Sequence, residues 1–331
     1  MARRAGVVAI ALYSLMALHA VAAPSRLLGL DLYRPAPEDN PLTAAKMALG
    51  RRLFHERRLS RTGSLSCASC HDPGQAFTDG RRVARGVDGL VGMRNVPTLV
   101  NAAWSASFFW DGRAATLEQQ ALQPVLNPRE LGMTPDRVLA LAIATRSPAY
   151  RPGFVAAFAS EPSLFDVGRA LASYVRTIEA GDTPYDRYLA GDDGALRAAA
   201  QRGLVLFNGK ARCNSCHAGA LLTDGQFHNT GVAWRTGKLT DEGRARVTHR
   251  PADRGAFKTP TLREVARTAP YMHDGSLSTL HAVVEFYDRG GATNPGLDGR
   301  IRPLHLSVVE KSDLVALLQS LSRTIRQGIV P

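Results

Sequence analysis

The 331-residue sequence predicts an all-α protein with two domains related by internal duplication. Three observations predict this fold class: amphipathic runs recur along the chain, strand-like alternation is scarce, and two similar series of motifs follow each other in the same order. The predicted division is residues 1–22 as a signal peptide, 23–183 as an N-terminal domain and 184–331 as a C-terminal domain.

The first predicted element is a secretory signal. Arg3 and Arg4 precede an apolar run over residues 5–18, small residues occupy 20–23, and cleavage is expected after Ala22. The run is short for a bilayer span. We therefore expect an exported protein with no membrane span in the mature chain.

The predicted helices are amphipathic runs. They cover residues 43–55, 135–145, 163–179, 195–207, 279–287 and 312–325. Thr116 and Thr279 stand where N-caps are expected. Glycine and proline predict loops over residues 72–92, 231–255 and 290–303.

All four cysteines lie in two copies of Cys-x-x-Cys-His, the attachment motif for c-type haem. The residues are Cys67, Cys70 and His71, and Cys213, Cys216 and His217. In such a motif two thiolates form thioethers and the histidine binds the iron. A disulfide framework suits shorter, cysteine-dense chains, and a zinc site normally lacks a histidine directly after the second cysteine. The sequence therefore predicts two covalent haem c groups in cytochrome c-like domains, and a periplasmic location.

The repeat extends beyond these motifs. A Gly-x-x-Leu-Phe sequence precedes each copy, and Asp111 follows Pro97 by 14 positions as Asp274 follows Pro260. A match of this length predicts a duplicated haem domain. The two sites can therefore be compared position by position.

This comparison predicts two unequal haems. Pro124 follows Asp111 by 13 positions, and Tyr287 follows Asp274 by 13. Proline cannot bind iron, whereas tyrosine is a known axial ligand. The first haem is predicted to keep an open sixth position and the second to be bound by His217 and Tyr287. The alternative for the tyrosine is a buried ring whose hydroxyl finds a hydrogen bond.

Polar residues near Pro124 suit chemistry at an open haem. Gln120 and Glu130 are near it in sequence, and a carboxylate there can move a proton between the two oxygens of a peroxide. The alternative is that Glu130 only caps or flanks the next helix. Trp110 is either core packing or a redox-active ring between the haems.

The chain is basic, since lysine and arginine exceed aspartate and glutamate by 12. No basic stripe with a recognition element is visible, so nucleic-acid binding is not expected. The charge suits attraction of an acidic protein partner. A solvated surface is the alternative.

The chain resembles the bacterial di-haem cytochrome c peroxidase superfamily, of the MauG type, over residues 42–325. The resemblance is carried by the two haem motifs and by residues 94–99, 109–114, 117–120, 127–130 and 269–275. It implies that the first haem reacts with peroxide and the second passes electrons. It also implies that Gln120, Pro124 and Glu130 lie on the distal side of the first haem and that Trp110 lies between the haems.

Further ligands follow from the resemblance. It implies a calcium ion between the haems, held by the side chain of Asn95 and the carbonyls of Thr268 and Pro270, an oxygen set that suits a hard cation. Ordinary peroxidases of the family have methionine at position 287, whereas MauG-type members have tyrosine, which supports Tyr287 as a ligand. Met272 is an alternative ligand, although packing suits it better.

One position departs from the MauG pattern. MauG has a tryptophan two residues before the second haem motif, from which it passes holes to its protein substrate, and here that residue is Ala211. Trp104 and Trp234 are candidate replacements, or the substrate differs.

The resemblance implies an enzyme that reacts with hydrogen peroxide, holds two oxidising equivalents as high-valent iron and oxidises a partner protein. The expected partner is the methylamine dehydrogenase precursor, whose tryptophan tryptophylquinone cofactor would be completed. One alternative is a peroxidase that takes electrons from a small cytochrome c or a cupredoxin such as amicyanin. Another is a non-catalytic electron-transfer cytochrome, which would not need Glu130, Gln120 or an open site.

Overall fold

The computed structural model describes residues 27–30, 34–144 and 150–328, so the predicted signal peptide lies outside the described residues. The prediction of a mainly helical protein is confirmed. The helices are α1 (Ala44–Phe54), α2 (Cys67–Cys70), α3 (Leu117–Leu126), α4 (Pro135–Ile143), α5 (Arg151–Phe158), α6 (Leu164–Val175), α7 (Pro184–Leu189), α8 (Ala198–Asn208), α9 (Ala245–Thr248), α10 (Leu280–Asp288) and α11 (Val308–Gln319). Over the described ranges, none of them is long and apolar enough to cross a membrane.

Four two-residue strands depart from the all-α prediction. They are β1 (Phe227–His228), β2 (Trp234–Arg235), β3 (Lys238–Leu239) and β4 (Phe257–Lys258). β1 pairs with β4 and β2 pairs with β3, both antiparallel. The predicted loop over residues 231–255 was therefore partly wrong, since it contains β2, β3 and α9. Two residues are too few for alternation to be read from sequence.

Capping explains where the helices begin. Thr116 and Thr279 accept hydrogen bonds from the third residue of α3 and α10, which confirms both predicted N-caps. The last predicted helix was displaced, because α11 begins at Val308 after a capping box made by Ser307 and Glu310. Val308 and its neighbour Val309 are exposed, so they break the apolar periodicity that marks a helix.

Each half is built on one tightly packed helix pair. In the first half, α1 crosses α6 at Gly50, where an added Cβ would lie 1.9 Å from the carbonyl oxygen of Ala170. In the second half, α8 crosses α11 at Gly203, where an added Cβ would lie 2.1 Å from the carbonyl oxygen of Asp313. Glycine is therefore required at both crossings, and each pair anchors one hydrophobic core.

The two halves exchange backbone hydrogen bonds at their interface. The amide of Asn95 donates to the carbonyl of His273 at 2.7 Å, and the amide of Lys258 donates to the carbonyl of Trp110 at 2.8 Å. Each half therefore fixes a loop of the other.

Each end of the described chain contacts the opposite half of the molecule, and we call these two segments the crossed ends. Gly29 accepts a hydrogen bond from Arg263 in the second half. At the other end, the hydroxyl of Tyr174 donates to Gln327 at 2.5 Å, and the amide of Gly328 donates to the side chain of Thr177 at 2.8 Å. The chain end thus packs on the first half.

Candidate functional site

Both haem motifs open onto one cavity of about 930 Å³. The motif residues that line it are Cys67, Cys70, His71, Cys213, Cys216 and His217. A cavity of this size, lined largely by apolar groups with a few converging polar ones, is typical of a cofactor site.

Each motif histidine is oriented by a backbone carbonyl. The Nδ1 atom of His71 lies 3.0 Å from the carbonyl oxygen of Phe77, and that of His217 lies 2.9 Å from the carbonyl oxygen of Leu222. A carbonyl only accepts, so Nδ1 must donate, and Nε2 keeps its lone pair for a metal. Burial lowers the pKa of His71 to about 4 and also lowers the pKa of His217. Both rings are therefore neutral, as iron ligation requires.

The four motif cysteines form no disulfide. The first pair lies at the two ends of α2, and the second pair lies in a short turn that begins at Cys213. Burial raises the pKa of Cys67 and of Cys213 to about 12, so these thiols are neutral. Unpaired thiols beside a neutral, oriented histidine fit the donor set of a covalent haem c.

Helix α3 presents Gln120 and Pro124 to the cavity beside the first motif. Pro124 has no amide hydrogen, so the carbonyl of Gln120 lacks the usual helical donor four residues on. Glu130, six residues after the proline, lines the same cavity.

The Glu130 carboxylate is held by one amide. The Nδ2 atom of Asn127 donates to its Oε1 atom at 2.8 Å. Burial raises the pKa of Glu130 above the ordinary glutamate value. Thr134 caps helix α4, so Glu130 is not that cap. Asn127 was missed by sequence reasoning, although its place three residues before the carboxylate was a signal for it.

Tyr287 lies on α10 and lines the cavity beside the second motif. Burial and the nearby thiols of Cys213 and Cys216 raise its pKa far above that of a free phenol. Within the described residues the hydroxyl makes no hydrogen bond, so the alternative of a hydrogen-bonded buried ring finds no partner there. A cation beside the oxygen would be needed to hold the phenolate.

Trp110 lines the cavity that both motifs border. Its Nε1 atom donates to the carbonyl of Asn95 at 2.9 Å, and its ring centroid lies 6.5 Å from that of His273. Trp104 also lines the cavity, whereas Trp234 lies in β2 and is not among the lining residues. Ala211 is buried against the cavity and therefore offers no surface route.

A buried ion-pair network beside Trp110 joins the halves. Arg94 donates to Asp111 of the first half at 2.6 Å and to Asp241 of the second half at 2.8 Å and 2.9 Å. Sequence reasoning did not single out this arginine as a bridge, because its second partner is distant in sequence. Removing one partner would leave buried charge uncompensated.

The three predicted calcium ligands also border the cavity. The Nδ2 atom of Asn95 donates to the carbonyl of Arg81 at 2.8 Å, and its Oδ1 atom accepts no hydrogen bond within the described residues. Thr268 and Pro270 lie on the loop that leads to Tyr271. An unpaired amide oxygen and two loop carbonyls are donors of the kind that a hard cation takes.

His228 is a further charged group beside the second motif. Its ring nitrogens lie 2.8 Å from Asp224 and 2.9 Å from Asp298. Hydrogen bonds to Cys216 and Asp224 raise the pKa of His228 to about 9. Cys216, Asp224 and His228 lie within 4.8 Å of one another, and the carboxylates of Asp224 and Asp298 flank the ring of His228.

Comparison with known proteins places these features in a family. The family profile described as di-haem cytochrome c peroxidase matches residues 44–194. The methylamine utilization protein MauG of Methylorubrum extorquens is 43% identical, over 87% of this chain and 81% of its own. A cytochrome c peroxidase of Denitromonas iodatirespirans is 39% identical, over 88% of this chain and 85% of its own.

A solved structure shows the same fold. The crystal structure of a MauG-like protein associated with microbial copper homeostasis superposes with a TM-score of 0.82 at 36% identity. The match covers 88% of this chain and 95% of that chain.

Proposed function

The chain belongs to the di-haem cytochrome c peroxidase family, and from this membership we propose that it is a periplasmic MauG-type enzyme that uses hydrogen peroxide to oxidise a partner protein. Members of this family are di-haem oxidoreductases. The proposed periplasmic location is supported by the secretory pattern of residues 1–22.

The two motifs are proposed to hold one haem c each, which the family implies. When bound, these groups supply redox-active iron next to the cavity-lining side chains. Cys67 and Cys70 would bind one porphyrin edge and Cys213 and Cys216 the other. His71 and His217 would bind the two irons from the proximal side.

The observation that carries the proposal is the asymmetry of the cavity. At equivalent positions of the repeat, the first site has Pro124 and the second has Tyr287, and both residues line the cavity. Pro124 has no donor atom, so peroxide has access to the first site. A cation bound at the hydroxyl of Tyr287 would lower the pKa of that group. The resulting phenolate is a hard anionic ligand, which stabilises oxidised iron.

Glu130 is proposed to be the acid–base group of the first site. Its raised pKa leaves the carboxylate able to take a proton from the inner oxygen of peroxide and return it to the outer oxygen. Asn127 donates to one oxygen of the carboxylate and so holds it in place. Gln120 offers an amide that can orient the peroxide.

Trp110 is proposed to carry electrons between the two sites. Its ring lines the cavity that both motifs border, and its indole N–H is bonded to a carbonyl that cannot take the proton. Oxidation of the ring would therefore leave the proton in place, so the electron can return without a proton transfer.

We also propose a calcium ion at Asn95, Thr268 and Pro270. Support comes from the free Oδ1 atom of Asn95 and from the family resemblance. Such an ion would bridge a loop of one half to the other.

Internal duplication is likewise proposed, and matched contacts support it. The amide of Phe108 donates to the carbonyl of Ala114 at 2.9 Å, and the amide of Tyr271 donates to that of Leu277 at 2.7 Å, at equivalent positions of the repeat. The glycine crossings of α1 with α6 and of α8 with α11 match in the same way.

The proposed protein substrate is the methylamine dehydrogenase precursor, as the similarity to MauG suggests. The second candidate is a peroxidase supplied by a small electron donor, because relatives named cytochrome c peroxidase match over similar lengths.

One equivalent of hydrogen peroxide added to the fully oxidised protein distinguishes the two functions. A MauG-type enzyme should give a long-lived oxidised form with near-infrared absorbance, which decays faster when the precursor is added. Rapid turnover with reduced cytochrome c and no such form would instead establish the peroxidase. A protein that reacts with neither would be an electron-transfer cytochrome.

A further inference from the structure

Lys258 places an ammonium group between the two halves. Its Nζ atom donates to the Oγ atom of Ser105 at 3.0 Å and to the carbonyl of Ser107 at 2.5 Å. Within the described residues no carboxylate forms an ion pair with it. Burial lowers the pKa of Lys258 to about 8, so the group is still mainly charged at neutral pH. A cation thus lies among neutral oxygens beside the haem cavity.

The partners of this ammonium, Ser105 and Ser107, have counterparts in the second half of the repeat. The register that pairs Pro97 with Pro260 and Asp111 with Asp274 also relates the residues around Lys258 to another set. It pairs Asn95 with Lys258, Ser105 with Thr268, and Ser107 with Pro270. The residues that receive the ammonium are therefore equivalent to the proposed calcium ligands Thr268 and Pro270.

Backbone contacts show the same correspondence in space. Asn95 donates its amide to the carbonyl of His273, and Lys258 donates its amide to the carbonyl of Trp110, which is the equivalent residue. Each half therefore places the backbone of one residue at the same position of a loop in the other half. On one side that residue is Asn95, whose side chain carries an amide oxygen, and on the other it is Lys258, whose side chain carries a cation.

We propose that the Lys258 ammonium is the built-in counterpart of the calcium ion, so that the two equivalent loop contacts are bridged once by a metal ion and once by a lysine. This inference rests on the proposed calcium site at Asn95. An amide oxygen facing carbonyl oxygens needs a cation between them, whereas an ammonium binds such oxygens directly.

The inference makes Lys258 a positioning residue for Trp110. Its amide and ammonium together hold the loop from Ser105 to Trp110, which carries the indole into the cavity wall. The calcium ion would do the same for the loop from Thr268 to His273. The first loop would then be independent of free calcium.

Two substitutions test whether the Lys258 ammonium stands in place of a calcium ion. Lys258→Asn reproduces the arrangement at Asn95 and should create a second calcium site, and Lys258→Met removes the ammonium without supplying an oxygen. Both holoproteins would be treated with a chelator to remove calcium, dialysed against calcium, and analysed for the number of calcium ions bound per chain. Lys258→Asn should hold one more calcium than wild type, and calcium should raise its unfolding temperature further than that of Lys258→Met.

The reciprocal variant is Asn95→Lys, which should hold one calcium fewer than wild type and unfold at the same temperature with and without a chelator. The absorbance spectra of the haems show whether each variant has folded, and Asn95→Lys decides the matter if Lys258→Asn does not fold.

Equal calcium contents in wild type and Lys258→Asn would overturn the inference, and the ammonium would then serve another partner such as a haem propionate. Retention of all wild-type calcium by Asn95→Lys would overturn it as well. The enzymatic proposal fails separately, by lack of reaction with peroxide, which does not alter the calcium counts.

Discussion

The carboxylate of Glu130 combines burial with a single amide donor from Asn127. Burial disfavours the charged form and raises its pKa, and the hydrogen bond opposes this only in part. A carboxyl group whose pKa is raised accepts and returns a proton more readily than an exposed glutamate does.

Glu130→Gln should slow the reaction with peroxide by roughly 10²–10⁴. The base form is needed, so the wild-type rate should fall as the pH falls through a value above the usual glutamate pKa of about 4.3. Stopped-flow absorbance of the haems measures both effects. The variant should show little of this pH dependence, and Glu242→Gln, at an exposed carboxylate, is the control. An undiminished rate would remove Glu130 from the acid–base role.

Tyr287→Phe should remove the proposed sixth ligand of the second haem while leaving the ring in place. The absorbance and electron paramagnetic resonance signals of that haem should change, because the phenolate oxygen would no longer bind iron. Tyr271→Phe removes a hydroxyl from the same cavity and should leave these signals unchanged. An unaltered low-spin signal in Tyr287→Phe would exclude the ligation.

Residues that the spacing of the motifs places at the cavity could be found from the sequence. Each haem motif is contiguous, and the places of Pro124 and Tyr287 follow from counting along a repeat. Arg94 could not be found in this way, because its partner Asp241 lies far away in the chain, and the partners of Lys258 are also remote. Lys258 was nonetheless within reach, since the same count pairs it with Asn95.

At the scale of elements, the crossing of α8 with α11 leaves no room for a side chain at Gly203. Gly203→Ala should destabilise the protein by about 1–3 kcal/mol, because the backbone of α11 must move to admit the methyl group. Denaturant unfolding of the holoprotein measures the change. Gly299→Ala is the control, since its added Cβ would meet no atom within 4 Å. Equal stability of Gly203→Ala and wild type would contradict the close approach.

Helices were predicted best where one face is apolar. Helix α1 lies within one residue of its predicted bounds, because Thr43 caps it and its apolar face meets α6. Helix α11 was displaced because Val308 and Val309 are exposed at its start. Strands β1 and β4 escaped prediction because their pairing joins positions such as Phe227 and Lys258, which are remote in sequence. Strands β2 and β3 are neighbours in sequence but have only two residues each, too few to show alternation.

At the scale of the whole molecule, the crossed ends bind the halves together. Residues 27–30 contact the second half through Arg263, and residues 325–328 contact the first half through Tyr174 and Thr177. The boundary predicted near residues 181–184 divides the chain in sequence, while these contacts tie its two parts to each other.

A single cut in the exposed loop over residues 190–194 should therefore not separate the halves. A protease site inserted there, followed by gel filtration of the cut holoprotein, measures this. The two fragments should elute together at the position of the uncut chain and part only in denaturant. Separate elution in native buffer would show that the crossed contacts are too weak to hold them.

The crossed ends also bear on how the protein matures. The ribosome completes the segment of Tyr174 and Thr177 well before it makes residues 325–328, which pack against that segment. The first half therefore cannot bury this surface until residues 325–328 are in place. Folding of the first half thus depends on a segment of the second, and the molecule is assembled as one unit although its sequence reads as two.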